Sequence, residues 1–386
     1  LVAFPHTVDE SPDHLDASLS RFHRQILLPG IGVEGQRRLL DASVVVIGCG
    51  ALGSVAAEFL LRAGVGRLEL VDRDVVEETN LQRQFLYDEQ DAARGRAKAE
   101  AARDRLRSIR SAARVRGWIE DLDAESVRSH LADADLVVDG LDNFETRYLL
   151  NDACVEAGVP YLYGGAVGTV GLAMTVLPRT VKAGSSRTGR PRGLLHDASR
   201  ATPCLRCVFP EPPPPGTTPT CDTAGVLGTV TAMIAARQAT EAIKLLVGAV
   251  ESVDRGLWSI DPWRNRFERI AIPEAPDAEC PCCGLGRFEH LEGERRSETA
   301  VLCGRNAVQV KPPRHAAIDL DALAARLASH GSFRREGEML QGSLSRERSP
   351  SGEPVELSVF ADGRAIVRGS SEPEFARTIY ARFVGT

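Results

Sequence analysis

The chain contains no apolar run approaching the roughly 20 residues needed to span a bilayer. Its first stretch, LVAFPHTVDESPDHLDASLS, is acidic, where a secretory signal would have a basic end and an apolar centre. These absences point to a cytoplasmic protein with no membrane partner. A basic excess is also missing: 47 Lys and Arg face 53 Asp and Glu, for a formal net charge of −6. That balance leaves no electrostatic footprint for nucleic acid. Internal repeats and low-complexity tracts are absent as well. The nine cysteines are an odd number, with four in two tight pairs, which suits a metal site in a reducing compartment better than a disulfide framework.

At 386 residues the chain is long enough for two domains, and 43% hydrophobic with 26% charged residues is ordinary globular composition. Its most informative stretch is VVVIGCGALG, where a β-branched run ends in Gly48, Gly50 and Gly53 and a helical apolar pattern follows. At a strand-to-helix turn the first glycine permits the turn and the second lets backbone approach a phosphate. The third allows close helix packing, and the helix N-terminus faces the anion. A second strand, RLELV, delivers Asp72 at the distance expected of a ribose-binding carboxylate. The pattern indicates a nucleotide without saying which one.

Strand and helix signals then alternate to about Pro178, predicting a mostly parallel, doubly wound α/β sheet, with LAMTVL adding an antiparallel strand. Residues 1–20 read as a mobile leader, and 21–285 as one domain. Within it, about 181–220 reads as a Gly-, Ser- and Pro-rich mobile crossover. TVTAMIAARQATEAIKLLVG reads as a long buried helix stopped by Gly248, followed by strands LWSID and RFERIAI. Residues 300–386 read as a small α+β domain in the order β-α-β-β-β-α: strand VLCGRNAVQV, helix DLDALAARLASHG, strand FRREGEMLQGSL, a hairpin turning at Asp362-Gly363, and a final helix.

Several side chains bear on the chemistry. ETNLQRQF places Thr79, Asn80 and Arg83 just after Asp72, and a guanidinium there suits a triphosphate better than a nicotinamide. Lys98 in GRAKAEAA can reach the same phosphates, although taken singly it reads as a surface lysine. Asp139 and Asp142 stand at the C-terminal end of the buried strand DLVVD, where a carboxylate can hold Mg²⁺; Asp142 and Asn143 equally suit the N-cap of the next helix. Cys204-x-x-Cys207 and Cys280-x-x-Cys283 have the spacing of a closed, structural Cys₄ zinc site, with Cys282 as a possible substitute. Cys221, before the long helix, is either a nucleophile activated by a helix N-terminus or an inert small hydrophobe. Cys49 and Cys154 read as packing residues, and Cys303 has no assignment.

Together, RFHRQILLPGIGVEGQRRL, GCGALGS, VDRDVVEETNLQRQF, GRAKAEAA, DGLDNFETRYLLND, CLRCVFPEP, CDTAGVLGTV and ECPCCG resemble the MoeB/ThiF/HesA group, bacterial relatives of the ubiquitin-activating enzymes, over about Arg21 to Gly284. The resemblance implies a Rossmann-like adenylyltransferase that uses ATP and Mg²⁺ to adenylate the C-terminal glycine of a ubiquitin-like sulfur carrier ending in Gly-Gly, releasing pyrophosphate. It further implies a homodimer and a sulfur donor, in molybdopterin, thiamine, tRNA-thiolation or related biosynthesis. By position, Gly48, Gly50, Gly53, Asp72, Thr79, Asn80, Arg83, Lys98, Asp142 and Asn143 match ATP-binding residues. Asp142 matches the aspartate acting through Mg²⁺, and Arg24 an arginine that reaches into the partner's site. Cys204, Cys207, Cys280 and Cys283 match structural zinc ligands. Cys221 matches a cysteine that some members use covalently and the MoeB type does not need for adenylation. Residues 181–199 look inserted, and the tail lacks a rhodanese-like cysteine loop, so docking of the carrier or a sulfur acceptor is the role expected of it. An NAD-dependent oxidoreductase and a non-catalytic carrier-binding scaffold are the competing readings.

Overall fold

The computed structural model describes residues 18–120, 122–179, 198–213, 221–293, 298–302, 306–312, 317–336 and 339–385. The expected leader (apart from 18–20), most of the expected crossover and Cys303 lie outside this set. No helix among the described residues is long and apolar enough to cross a membrane.

Two short helices, α1 (His23–Ile26) and α2 (Gly32–Asp41), precede β1 (Ser43–Ile47) and α3 (Gly53–Ala63). Then come β2 (Arg67–Val71), α4 (Glu89–Ala93), α5 (Lys98–Ile109), β3 (Arg114–Trp118), α6 (Ala124–Leu131), β4 (Leu136–Asp139), α7 (Phe144–Ala157), β5 (Tyr161–Val167) and β6 (Val170–Val176). Beyond α8 (Leu205–Val208) and α9 (Cys221–Ala224), the long helix α10 (Gly228–Val247) leads to β7 (Leu257–Asp261) and β8 (Arg266–Ile270). The eight strands form one sheet in the order β3-β2-β1-β4-β5-β6-β7-β8, parallel through β5 and antiparallel from β6.

Every residue of β1 is buried because helices cover both faces of the sheet. Val44 and Val46 pack in the core shared with α3 and α10, and Val45 and Ile47 in the core shared with α7. Gln238 of α10 ties helix to sheet, its amide donating to Asp139 O at 2.8 Å and Leu162 O at 2.9 Å. Gly248, at φ 91°, ends that helix as its position in the sequence predicts. Strand order reverses between β1 and β4, which opens a crevice at their C-terminal ends.

The C-terminal domain has its own antiparallel sheet, β11-β12-β13-β14-β10-β9, and its own core. Its strands and helices are β9 (Glu298–Leu302), β10 (Ala307–Lys311), α11 (Leu320–Leu327), β11 (Gly331–Glu336), β12 (Met339–Arg348), β13 (Pro354–Phe360), β14 (Ala365–Arg368) and α12 (Pro373–Phe383). The expected order needs correction, because two of the single strands are hairpins. VLCGRNAVQV turns before β10, with Asn306 in the left-handed region at φ 43°, and FRREGEMLQGSL breaks between β11 and β12. The hairpin at Asp362-Gly363 forms as expected, with Gly363 at φ 90°.

Candidate functional site

The glycine turn divides its tasks as the spacing predicts. Gly48 has φ +84°, and a Cβ there would lie 2.6 Å from Gly140 O. A Cβ on Gly53 would fall 1.8 Å from Gly48 O, so only glycine lets α3 start this close. At Gly50 a Cβ would make only ordinary contacts, with the Gln84 amide nitrogen at 3.8 Å and Gly140 O at 4.0 Å, so this glycine is not demanded by packing. Gly140, not singled out in the sequence, belongs to the same packing: its N–H donates to Ile47 O at 2.7 Å.

Asp72 ends β2 beside this turn. Its Oδ2 accepts the Cys49 N–H at 2.6 Å and its Oδ1 the Asp74 N–H at 2.8 Å. Withdrawal from water pushes its pKa up to about 6, although the Lys98 ammonium pulls the other way. Lys98 is not a surface side chain: it is 7% exposed, at the start of α5, with Nζ 3.1 Å from Asp74 Oδ2. Burial alone would lower its pKa, but the fields of Asp74, Asp72 and Asp142 raise it, so the ammonium stays charged. The sequence reading overlooked Asp74, although VDRDVVE places it two residues beyond the ribose candidate.

Asn80 is buried, and its Oδ1 accepts the Glu77 N–H at 3.1 Å, closing a capping box on the segment carrying Thr79 and Arg83. Arg83 lies across this segment, Nη1 donating to Thr79 O at 2.8 Å. The first turn of α10 backs it, since a Cβ on Gly228 would meet Gln82 O at 3.0 Å. Arg24 is exposed on α1, away from these contacts. Cys221 begins α9; its side chain is outside the described set.

The two aspartates of DGLDN separate. Asp142 is exposed, and Asn143 takes the cap of α7, its Oδ1 accepting the Thr146 N–H at 2.9 Å. Asp139, also considered for a metal, is completely buried and fully engaged. Its Oδ2 accepts from Arg147 Nε at 3.1 Å and Tyr161 Oη at 2.5 Å, and its Oδ1 from the Leu141 N–H at 2.8 Å. Burial raises its pKa against the pull of Arg147. Arg147 also donates to Leu141 O, and to Gly164 O at 2.9 Å, so this pair fixes the crevice floor. Arg147→Ala would leave a buried carboxylate unpaired and is expected to cost about 3–5 kcal/mol, measured by urea denaturation.

The four paired cysteines converge: the Sγ atoms of Cys204, Cys207, Cys280 and Cys283 lie within 4.8 Å of one another. Individual separations are 4.0 Å (204–207), 3.7 Å (204–280) and 3.3 Å (207–283). A tetrahedral zinc with Zn–S near 2.3 Å requires sulfurs about 3.8 Å apart, so the cluster fits that ion. Cys282 is not one of the four: its Sγ accepts from Asn151 Nδ2 at 3.4 Å, and it also lies against Asp152 and the edge of the cluster at Cys204.

A doubly wound sheet, a phosphate-type glycine turn with a carboxylate at the next strand end, and a zinc-compatible Cys₄ cluster define a nucleotide-binding α/β protein. The ThiF family model matches residues 22–282, and the chain belongs to the ThiF family. It is 40% identical over 365 residues to a sulfur carrier protein ThiS adenylyltransferase of Bacillus subtilis, covering 95% of this chain and 99% of that one. It is 40% identical over 279 residues to the SAMP-activating enzyme E1 of Haloferax volcanii, covering 72% and 94%. A solved structure of E. coli MccB with ATP shares the fold at a TM-score of 0.54 and 22% identity, over 70% of this chain and 75% of that one.

Proposed function

We propose that the protein adenylates the C-terminal glycine of a ubiquitin-like sulfur carrier with ATP. The observation that carries this is the convergence of Lys98, Asp72, Asp74 and Asp142 at the strand ends beside the glycine turn, in a chain 40% identical to a named sulfur carrier adenylyltransferase. The carrier carboxylate attacks the α-phosphorus; a C–O–P bond forms, the bond to the β-phosphate breaks, and pyrophosphate leaves. Gly48, Gly50 and Gly53 bring backbone N–H groups and the α3 N-terminus to the phosphates, and Asp72 accepts from the ribose hydroxyls. Thr79, Asn80 and Arg83 flank the triphosphate, and Lys98 offsets negative charge gathering on it. Magnesium held through Asp142 would neutralise phosphate charge when bound. Arg24, exposed on α1, fits a homodimer in which each copy reaches the other's site. Cys221 would serve a later covalent step with the carrier, before sulfur arrives from a donor.

The test is ATP–pyrophosphate exchange with a panel of carriers ending in Gly-Gly. Exchange is expected with one carrier and is expected to persist in Cys221→Ala, because adenylation precedes any thiol chemistry. Exchange in the absence of carrier, or with none of the carriers despite ATP binding, would count against the reading.

The Asp72 position adds a pH dependence. Its folded pKa of about 6 exceeds the ordinary value, so its contribution to stability is fullest below about pH 4 and is lost as pH rises through 6. Ribose binding runs the opposite way, since only the carboxylate accepts both hydroxyls. ATP affinity is expected to fall below pH 6, by up to about tenfold per pH unit, in calorimetric titrations. The Asp72→Asn variant should lose that component.

A further inference from the structure

Asparagine and aspartate suit the ends of helices better than their interiors, and once buried they need hydrogen-bond partners. Asn151 and Asp152 nevertheless stand side by side in the middle of α7, both 0% exposed. Their hydrogen bonds account for the position, because they run outward to segments far along the chain. Asn151 Oδ1 accepts the Leu205 N–H at 2.9 Å, inside the first thiol knuckle and 54 residues away. Its Nδ2 donates to Cys282 Sγ at 3.4 Å, inside the second knuckle and 131 residues away, and to Asp152 Oδ1 at 3.4 Å. Asp152 Oδ2 accepts the His290 N–H at 3.0 Å, 138 residues away, and its carboxylate lies against the Cys282 thiol.

Positions i, i+3 and i+4 share a helix face, so Tyr148 belongs with this pair. Its Oη donates to Phe209 O at 2.7 Å, and its ring meets the His290 ring at a centroid distance of 5.0 Å. Arg206, between the two ligands of the first knuckle, reinforces the arrangement, with Nη2 3.0 Å from Glu289 Oε2. One face of α7 therefore holds residues 204–209, the 280–283 knuckle and the chain at 290. Each of these contacts is made by protein atoms alone.

We propose that Asn151 and Asp152 are positioning residues that assemble both thiol knuckles on α7 before the metal arrives. Zinc then binds a site already built, rather than drawing two separate ligand pairs together. An ion that needs a rarely populated arrangement loses affinity in proportion to that population, so the buried face of α7 raises zinc affinity by keeping the arrangement populated. Partners outside the ligand shell commonly change metal affinity by about 10–100-fold. The same helix starts at the Asn143 cap, about two turns before Asn151, so it carries both the knuckles and the residue after Asp142. The inference rests on zinc occupying the Cys₄ cluster and is independent of the adenylation reading.

The experiment uses the full chain, as isolated and after zinc is stripped with a chelator, in wild type, Asn151→Ala, Asp152→Asn and Leu150→Ala. Leu150 is buried on the same helix but turned about 100° from Asn151, so its truncation lowers stability without removing a polar contact to the knuckles. Competition with a chelating dye gives the zinc dissociation constants, and hydrogen exchange follows the Leu205 and His290 amides. Stripped wild type is expected to keep both amides protected. Asn151→Ala is expected to bind zinc about 10–100-fold more weakly and, once stripped, to lose protection at Leu205. Leu150→Ala should stay within about threefold of wild-type zinc affinity, whatever its thermal midpoint. Should Asn151→Ala fail to fold, the isosteric Asp152→Asn, which trades one carboxylate acceptor for a donor, is read by the same criteria at the His290 amide, with zinc weakened about threefold to tenfold. Unchanged zinc affinity, or protection kept after stripping, in the folded variant overturns the proposal. Equal weakening in Leu150→Ala also overturns it, since the effect would then be one of general stability. Free exchange at Leu205 and His290 in stripped wild type does the same, because zinc would then be the assembler. Wild type isolated without zinc would overturn the premise that the Cys₄ cluster is a zinc site.

Discussion

Asp142→Ala is expected to lower carrier-dependent ATP–pyrophosphate exchange by about 10²–10³-fold or more, the scale seen when a pre-placed electrostatic contact to a developing charge is removed. Its thermal midpoint should stay within about 1 °C of wild type. The separation of these effects follows from the geometry at the end of β4. Asp142 is exposed, and the cap of α7 is made by Asn143, so no buried partner is stranded by the substitution. Asp139, three residues earlier, would behave in the opposite way, because Arg147 and Tyr161 depend on it. Asp139→Ala is therefore a folding defect, and activity lost with it says nothing about phosphate chemistry. Exchange rates beside circular-dichroism melts tell the two apart. If Asp142→Ala retained exchange, phosphate charge would have to be managed by Lys98 and Arg83 without it.

Loss of the Cys₄ centre is expected to produce the largest effect on stability. The cluster joins residues 204–207 to residues 280–283 across 76 positions of sequence. Structural zinc contributes on the order of 10 kcal/mol in isolated modules. Here the sheet retains its own core, so Cys207→Ser or Cys283→Ser is expected to cost several kcal/mol and lower the thermal midpoint by about 10 °C or more. Elemental analysis should show near one zinc per chain in wild type and little in those variants. Cys282→Ser is the informative control. Its Sγ faces Asn151, so zinc should be retained and the cost held to about 1 kcal/mol. Loss of zinc in Cys282→Ser would show that the thiol exchanges with a ligand.

Local rules carried much of the reading. The VVVI run, the three glycines and Asp72 are close in sequence and are bound by strand-to-helix geometry, so their arrangement could be read without a model of the fold. The same holds for the CxxC pairs, whose spacing brings two thiols to one turn, and for Gly248 as the stop of α10. In the C-terminal domain the strand character of each run is readable, but VLCGRNAVQV and FRREGEMLQGSL each read as one strand where the structure has two paired ones, because strand propensity does not say where a chain folds back on itself. The segment before β1 was assigned no elements. Its α2 has a clear polar-apolar pattern, but what holds it is distant: Arg38 donates to Val247 O at 3.0 Å across 209 residues.

What the sequence by itself determined is the nucleotide-type turn, the paired thiols, the doubly wound order of elements and the resemblance to one enzyme family. Each depends on residues within about one turn or one βα unit of each other, where backbone geometry leaves few choices. Only the tertiary structure decided which of two neighbouring aspartates is exposed, that Lys98 is buried against Asp74, that Cys282 contacts Asn151, and that α12 lies beside the strand ends carrying Arg73 and Asn143. These outcomes turn on burial and on partners far apart in the chain. A carboxylate or a lysine has the same letter whether water or another side chain surrounds it, and only packing sets which.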